Sequence, residues 1–368
     1  MKKNKFTRGK RVLALLSATA LMLGVLSGCG TDNKNTGTPG AEQKQEEDIV
    51  ASFPPLKLPY EAKADHVLVE YKDGKLTAGE FEDFLRVLTF INPPQGYAIS
   101  TGNQEMIENY ARQYIVTKQK AALADDAMKK TANEEAEKAY ATLKEQYIQV
   151  LGGEDKYEQL MKNHNVKKDE VVKQLAEINA SVAVLEKEVP EAEVKKTYDS
   201  MSKESRTFAS VRHILYKFEG RTEEEALKLA NEATAKLKKG EDFATLAKQV
   251  SEDEGSKQTG GLYPDASVDQ WVPEFKAAAM AQKIGEISEK PVRTDYGYHV
   301  IKVENRVEKT YDDMKDQLRQ QVLEKNYLEI VTTQLDKEII KKDFPKVTPA
   351  EAPANPGTEA PAADTPVK

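Results

Sequence analysis

Apolar residues recur along this chain with two different periods. From Asn103 to Glu188 they return every three or four positions. Ile107, Tyr110, Ala111, Tyr114 and Ile115 form one stripe, and Tyr140, Leu143, Tyr147, Ile148 and Leu151 a second, closed by Gly152-Gly153. Val171, Val172, Leu175, Ile178, Val182 and Leu185 form a third. That spacing predicts amphipathic helices with ordinary core faces. Pro190 opens a further short helix carrying Val194 and Tyr198. Upstream, His66 to Tyr71 reads as a strand, Asp73-Gly74 as a hairpin signal and Lys75 to Thr77 as the returning strand. Thr77 and Glu80 have the spacing of a capping box, which opens a helix carrying Phe81, Phe84, Leu85 and Leu88. Asn92-Pro93-Pro94 ends that helix.

The pattern changes after residue 205. Arg206 to Phe218 alternates around Val211, Ile214 and Tyr216 and predicts a strand. A second capping box, Thr222 to Glu225, opens a helix through Leu227, Leu229, Ala230, Ala233 and Leu237, which Gly240 stops. A short helix over Phe243 to Val250, a Gly-rich loop over Ser251 to Pro264 and a short helix over Val272 to Ala281 follow. Two strands, Pro291 to Thr294 and Tyr298 to Asn305, close the segment. Thr310 caps a last long helix carrying Met314, Leu318, Val322, Leu328, Val331, Leu335 and Ile339, predicted to run to Phe344 before Pro345. The fold class is α+β: a mainly helical module made of N- and C-terminal segments, and an inserted domain with a small antiparallel sheet among helices.

The two ends have no such periodicity. Residues 2–11 are basic, Val12 to Leu26 are apolar or small, and the run ends Leu26-Ser27-Gly28-Cys29. A basic region followed by an apolar stretch shorter than the ~20 residues of a spanning helix predicts a secretory signal over 1–28. Residues 29–59 read as a polar tether, and residues 346–368, with five prolines, as a disordered tail.

Composition narrows the chemistry. The chain has 368 residues, 39% hydrophobic and 31% charged, with a net charge of −7. All six charged residues before Cys29 are basic, which leaves 48 basic against 61 acidic residues, near −13, on the remainder. An acidic body repels phosphate backbones, so nucleic acid is excluded as a partner. With four histidines, one cysteine and no phosphate-loop motif, neither a metal nor a cofactor is expected. Cys29 is the sole cysteine, so no intrachain disulfide forms.

Leu26-Ser27-Gly28-Cys29 resembles a bacterial lipobox, which implies cleavage before Cys29 and lipidation of that residue. Residues 205–307 resemble a parvulin-type (PpiC, rotamase) peptidyl-prolyl isomerase domain. Five blocks carry the resemblance in order: Val211 to Leu215; Phe243 to Ala247 with Ser251-Glu252-Asp253; Gly260-Gly261-Leu262-Tyr263; Pro273 to Phe275 with Gly285 to Ser288; and Pro291-Val292 with Tyr296 to Lys302. It implies a polar catalytic group of His213, Asp253, Thr294 and His299. Trp271 and Phe275 would wall a proline pocket, with Tyr263 and Tyr296 at its rim. Two departures stand out: Trp271 occupies a position where methionine or leucine is usual, and Leu262-Tyr263-Pro264 replaces the usual Asp-Leu-Gly. One arginine, Arg221, in the loop after the first strand is too little basic charge for a phosphate clamp.

Taken with the lipobox and with residues 60–204 and 308–345, most of the mature chain resembles the PrsA-type foldase lipoproteins of Gram-positive bacteria, with SurA-like architecture, although only the parvulin section is motif-specific. That resemblance implies a helical chaperone region at 60–204 on which a C-terminal helix, 308–345, packs. It implies an extracytoplasmic isomerase, held on the outer face of the cell membrane through Cys29, acting on unfolded or partly folded exported chains with X–Pro bonds. A homodimer through the helical module is an open option that no clean heptad specifies. The replaced turn at 262–264 motivates an alternative, a tethered holdase whose isomerase domain is inactive. A solute-binding lipoprotein would need alternating strands and helices in two lobes, and residues 104–200 offer almost no strands.

Overall fold

The structure is a computed structural model that describes residues 49–348. The signal reading, Cys29 and the tail beyond residue 348 lie outside the described residues. Two compact units divide the chain: within the described residues, 49–188 with 323–348 form the first, and 189–322 the second.

The first unit opens on a single 3-10 turn, Ile49–Ser52. The fold thus starts earlier than the sequence predicts, because apolar residues punctuate the end of the polar stretch. Val50 is buried, the Phe53 ring meets Tyr147 edge-on at 5.7 Å, and the Nε2–H of His164 donates to the Phe53 carbonyl at 3.0 Å. The hairpin β1 (Val67–Tyr71) and β2 (Gly74–Thr77) forms as expected. Thr77 and Glu80 close the capping box of α1 (Ala78–Ile91). Phe81, Phe84, Leu85 and Leu88 join Leu68, Leu76, Ile107 and Ile115 in one core. A second side of α1, with Val87, Phe90 and Ile91, is buried in a second core, which leaves Glu80, Glu82 and Asp83 as its exposed strip.

After α2 (Pro93–Ser100) come the long helices α3 (Gln104–Ala122), α4 (Asp126–Leu151), α5 (Glu154–Asn163) and α6 (Lys168–Glu188). Two buried hydroxyl contacts fix the second core: Tyr147 donates to the Phe90 carbonyl at 2.6 Å, and Tyr140 and Tyr157 share a bond of 2.9 Å.

The second unit begins with α7 (Glu191–Asp199) and the single turn α8 (Lys203–Arg206), then β3 (Thr207–Lys217), α9 (Glu223–Lys238) and α10 (Phe243–Val250). β4 (Leu262–Ser267), α11 (Pro273–Ala281), β5 (Val292–Thr294) and β6 (Gly297–Glu308) complete an antiparallel sheet of order β4-β3-β6-β5. Alternation sorts its faces. Ile214, Tyr216 and Val300 pack under α9 and α10, while Val211, Ile301 and Val303 pack against Phe275 and Ala279 of α11. This unit is larger than 205–307. Glu191 on α7 receives Lys315 at 2.6 Å and Arg319 at 2.7 Å from α12 (Tyr311–Glu329), and the Tyr198 hydroxyl bonds the Lys309 carbonyl.

Two expectations fail. The segment 251–264 is not all loop: β4 starts at Leu262 and pairs with β3. Pro264 and the positive φ of Asp265 break its alternation, and the register with β3 shifts there. The last helix stops at Glu329 instead of reaching Phe344. A π turn (Ile330–Gln334) and a 3-10 turn (Leu335–Lys337) follow, then β7 (Ile339–Lys342). Val331 and Leu335 stay in the first core, and Arg112 donates to the Val331 carbonyl at 3.1 Å. Ile339 and Ile340 suit an extended chain, and β7 pairs with β1 through Val69↔Lys342 and Tyr71↔Ile339.

Candidate active site

β3 and β6 are the central pair of the second sheet. His213 lies opposite Ile301, and Leu215 lies opposite His299. The two histidines are therefore diagonal neighbours on one face, the face covered by α11. Their rings stack with centroids 5.3 Å apart and Nδ1 atoms 3.0 Å apart, and both residues are at most 5% exposed.

From this pair a hydrogen-bonded chain runs in both directions. His213 Nε2 is 2.9 Å from Asp253 Oδ2, and Thr294 Oγ1 is 2.9 Å from His299 Nε2. Asp253 Oδ2 also accepts from the Tyr263 hydroxyl at 3.0 Å and from Ser256 Oγ. The Tyr296 N–H donates to Thr294 Oγ1 at 3.2 Å. Burial pushes the Asp253 carboxyl up, but the bonds from His213 and Ser256 outweigh burial and hold it well below the usual carboxylate range.

An ionised Asp253 can only accept, and this sets the proton order. His213 carries its proton on Nε2, so its Nδ1 accepts from His299 Nδ1–H, and His299 Nε2 accepts from the Thr294 hydroxyl. The assignment rests on the network, and every member is satisfied in it. Burial first, and the neighbouring His213 second, lower His299 to about 3 against a small opposing pull from Asp253. His299 is therefore neutral near pH 7.

The apolar side of the site is Phe275. Its ring stands edge-on to His213 at 5.4 Å and to His299 at 5.3 Å, and Trp271 meets it at 5.2 Å. Pro273 opens α11, but Trp271 lies in the extended segment before it, so the Trp271 ring reaches Phe275 from outside the helix and not through the i, i+4 spacing the sequence suggests. Tyr263 lies 5.4 Å from His213, centroid to centroid. Tyr296 differs from the sequence expectation: its side chain is 64% exposed, and its tie to the site is its backbone N–H. It follows Asp295 in a tight turn where Thr294 pairs with Gly297, which leaves its ring facing water.

Ser256 was not singled out from sequence. It is fully buried, lies 3.1 Å from His213 Nε2 and accepts the Gly261 N–H on its carbonyl at 2.8 Å. A serine in a Gly-rich loop carries no local signal of such a role. The double glycine has a steric reason. Gly261 has φ +77°, and a Cβ there would sit 2.2 Å from the His213 carbonyl oxygen. The His213 N–H donates to the Gly261 carbonyl at 2.9 Å, so the loop presses directly on the strand that carries the histidine.

Residues 193–307 match the PPIC-type PPIASE domain family. The chain is 30% identical over 284 residues to the foldase protein PrsA of Caldanaerobacter subterraneus subsp. tengcongensis, an alignment covering 76% of this chain and 87% of that one. It is 32% identical over 251 residues to the PrsA of Clostridium botulinum (strain Langeland), covering 65% and 71%. With the PrsA of Geobacillus kaustophilus the identity is 37% over 179 residues, which span 59% of that relative. Similarity to whole PrsA proteins extends well beyond the segment that holds the two histidines, and the chain belongs to the PrsA foldase family.

Proposed function

We infer that this protein is an extracytoplasmic foldase that catalyses cis–trans isomerisation of X–Pro bonds in exported, incompletely folded chains. The observation that carries the reading is the continuous chain Asp253–His213–His299–Thr294 beneath the Phe275 ring.

Rotation about a peptide bond faces a barrier of ~18–20 kcal/mol because resonance stiffens the C–N bond. For X–Pro the isomers differ by only about 0.5–1 kcal/mol, yet exchange takes tens to hundreds of seconds. No bond has to break. A catalyst must bind the twisted amide better than either planar form. At this site Phe275 and Trp271 offer an apolar wall to the pyrrolidine ring. Withdrawing water there costs the planar amide, the more polar form, more than the twisted one. The histidine pair contributes oriented dipoles rather than charge, locked at one end by Asp253 and at the other by Thr294.

No observation favours the holdase alternative. The replaced turn that motivated it supplies Tyr263, whose hydroxyl is bonded to Asp253. Lipid attachment at Cys29 is part of the proposal and rests on the Leu26-Ser27-Gly28-Cys29 sequence. Among the described residues no helix is long and apolar enough to cross a membrane. The helical first unit is proposed to hold clients.

The reading is tested by exchange on a short X–Pro peptide with the full chain. His213→Ala and Asp253→Ala are expected to lower kcat/KM roughly a hundredfold or more, the usual scale for removing one preorganised polar group. Wild-type turnover in both would sink it.

A further inference from the structure

Three donors converge on one oxygen of Asp253. His213 belongs to the central strand and Ser256 to the loop, but Tyr263 comes from the edge strand β4, across from Val211. Its hydroxyl is 3.0 Å from Asp253 Oδ2, its ring faces His213, and a glycine makes room for it. A Cβ on Gly255 would stand 2.8 Å from the Tyr263 hydroxyl oxygen, closer than such atoms approach. Gly255 has no left-handed backbone conformation to explain it, so the vacant volume itself is its role. Burial first, and Asp253 second, push the phenol above its ordinary value, so it keeps its proton and remains a donor.

We propose that Tyr263 is a positioning residue of the isomerase site, fixing the Asp253 carboxylate through its hydroxyl, with Gly255 as the hollow that admits it. The proposal rests on the site reading above. A third charge-assisted bond does two things. It fixes the plane of the carboxylate, and with it the Nε2–H of His213 and the direction of the histidine pair. It also keeps the carboxylate ionised and bound, so that Asp253 does not take a proton from His213. The groups facing Asp253 are His213 on β3, Ser256 in its own loop and Tyr263 on β4, with His299 behind His213. A leucine at position 263 would keep the apolar contact and lose the bond.

The test compares full-length Tyr263→Phe, Gly255→Ala and His213→Ala for isomerase activity between pH 3.5 and 8. Tyr263→Phe keeps the ring, and Gly255→Ala displaces only the far end of the tyrosine side chain, so each leaves the fold its packing. Both are expected to lower kcat roughly ten- to a hundredfold with KM little changed, the scale of one hydrogen bond to a charged group. Both are also expected to move the acid limb of the pH profile upward, because Asp253 loses a donor to its ionised form. A wall residue with no positioning role would raise KM instead. Wild-type kcat and acid limb in Tyr263→Phe, with His213→Ala inactive, would overturn the proposal alone. Full activity in His213→Ala would overturn the site reading and the proposal with it.

Discussion

His299 is the residue on which the proton order turns. It is buried, it is held neutral, and its two nitrogens face opposite partners, His213 and Thr294. Its folded value, about 3, lies below the ordinary 6.5. Between those values the unfolded chain binds a proton that the folded site refuses, so stability is complete above about pH 6.5 and falls as pH drops toward 3. The slope from one such group is at most ~1.4 kcal/mol per pH unit. Asp253 adds a further loss below its ordinary 3.8, since its folded value is also depressed. Trp271 is the only tryptophan of the chain and touches Phe275, so its fluorescence reports unfolding of this unit. In urea titrations of the full chain, His299→Gln is expected to flatten the pH dependence between 6.5 and 4; an unchanged slope would contradict the neutral assignment. The histidine pair was readable in the sequence because its strands follow a family pattern over five blocks. Ser256 was not, because its role depends on a loop fold that brings residue 256 against residue 213.

Elements were legible where their signals are local. The capping boxes at Thr77 and Thr222 form as their spacing predicts, since donor, acceptor and apolar stripe all lie within one turn. β4 and β7 were not legible, for different reasons. Pro264 and Asp265 break the alternation of β4. Ile339 continues the spacing of the preceding helix, and its real partner, Tyr71, lies far upstream. The double glycine allows a sharp comparison between positions. Gly261→Ala meets both a left-handed backbone and a carbonyl at 2.2 Å, whereas Gly240, at φ +96°, has nothing within 4 Å of a Cβ. Gly240→Ala is expected to cost about 1 kcal/mol from backbone strain alone. Gly261→Ala should cost roughly 3 kcal/mol or more and displace His213. Thermal unfolding followed through Trp271 separates the two, and equal costs would show that the close approach of loop and strand is not tight.

At the scale of the whole molecule, the split of the helical segments around the isomerase was readable from the change of period near residue 205, but the limits of the units were not. The second unit takes in α7 and the first part of α12 through Glu191, Lys315 and Arg319, contacts between residues far apart in the chain. Residues 49–59 read as tether because they are polar on average, yet Val50 is buried and the Pro59 carbonyl accepts the Thr348 N–H at 2.7 Å. Anchoring is tested with Cys29→Ser. The variant is expected to leave the membrane fraction for the medium with peptide isomerase activity intact, and retention on membranes would refute attachment through that residue.

The pairing of β1 with β7 imposes an order of events as the chain is made. The isomerase unit has all four strands of its sheet once Glu308 has emerged. The first unit cannot close its own sheet until Ile339–Lys342 arrive to meet Val69–Tyr71. Its earliest residues therefore wait longest for their partners, a loop closure that is slow for entropic reasons. The enzyme half of this protein can be finished while the half that flanks it in sequence is still an unfolded chain, with twelve prolines of its own for the finished half to act upon.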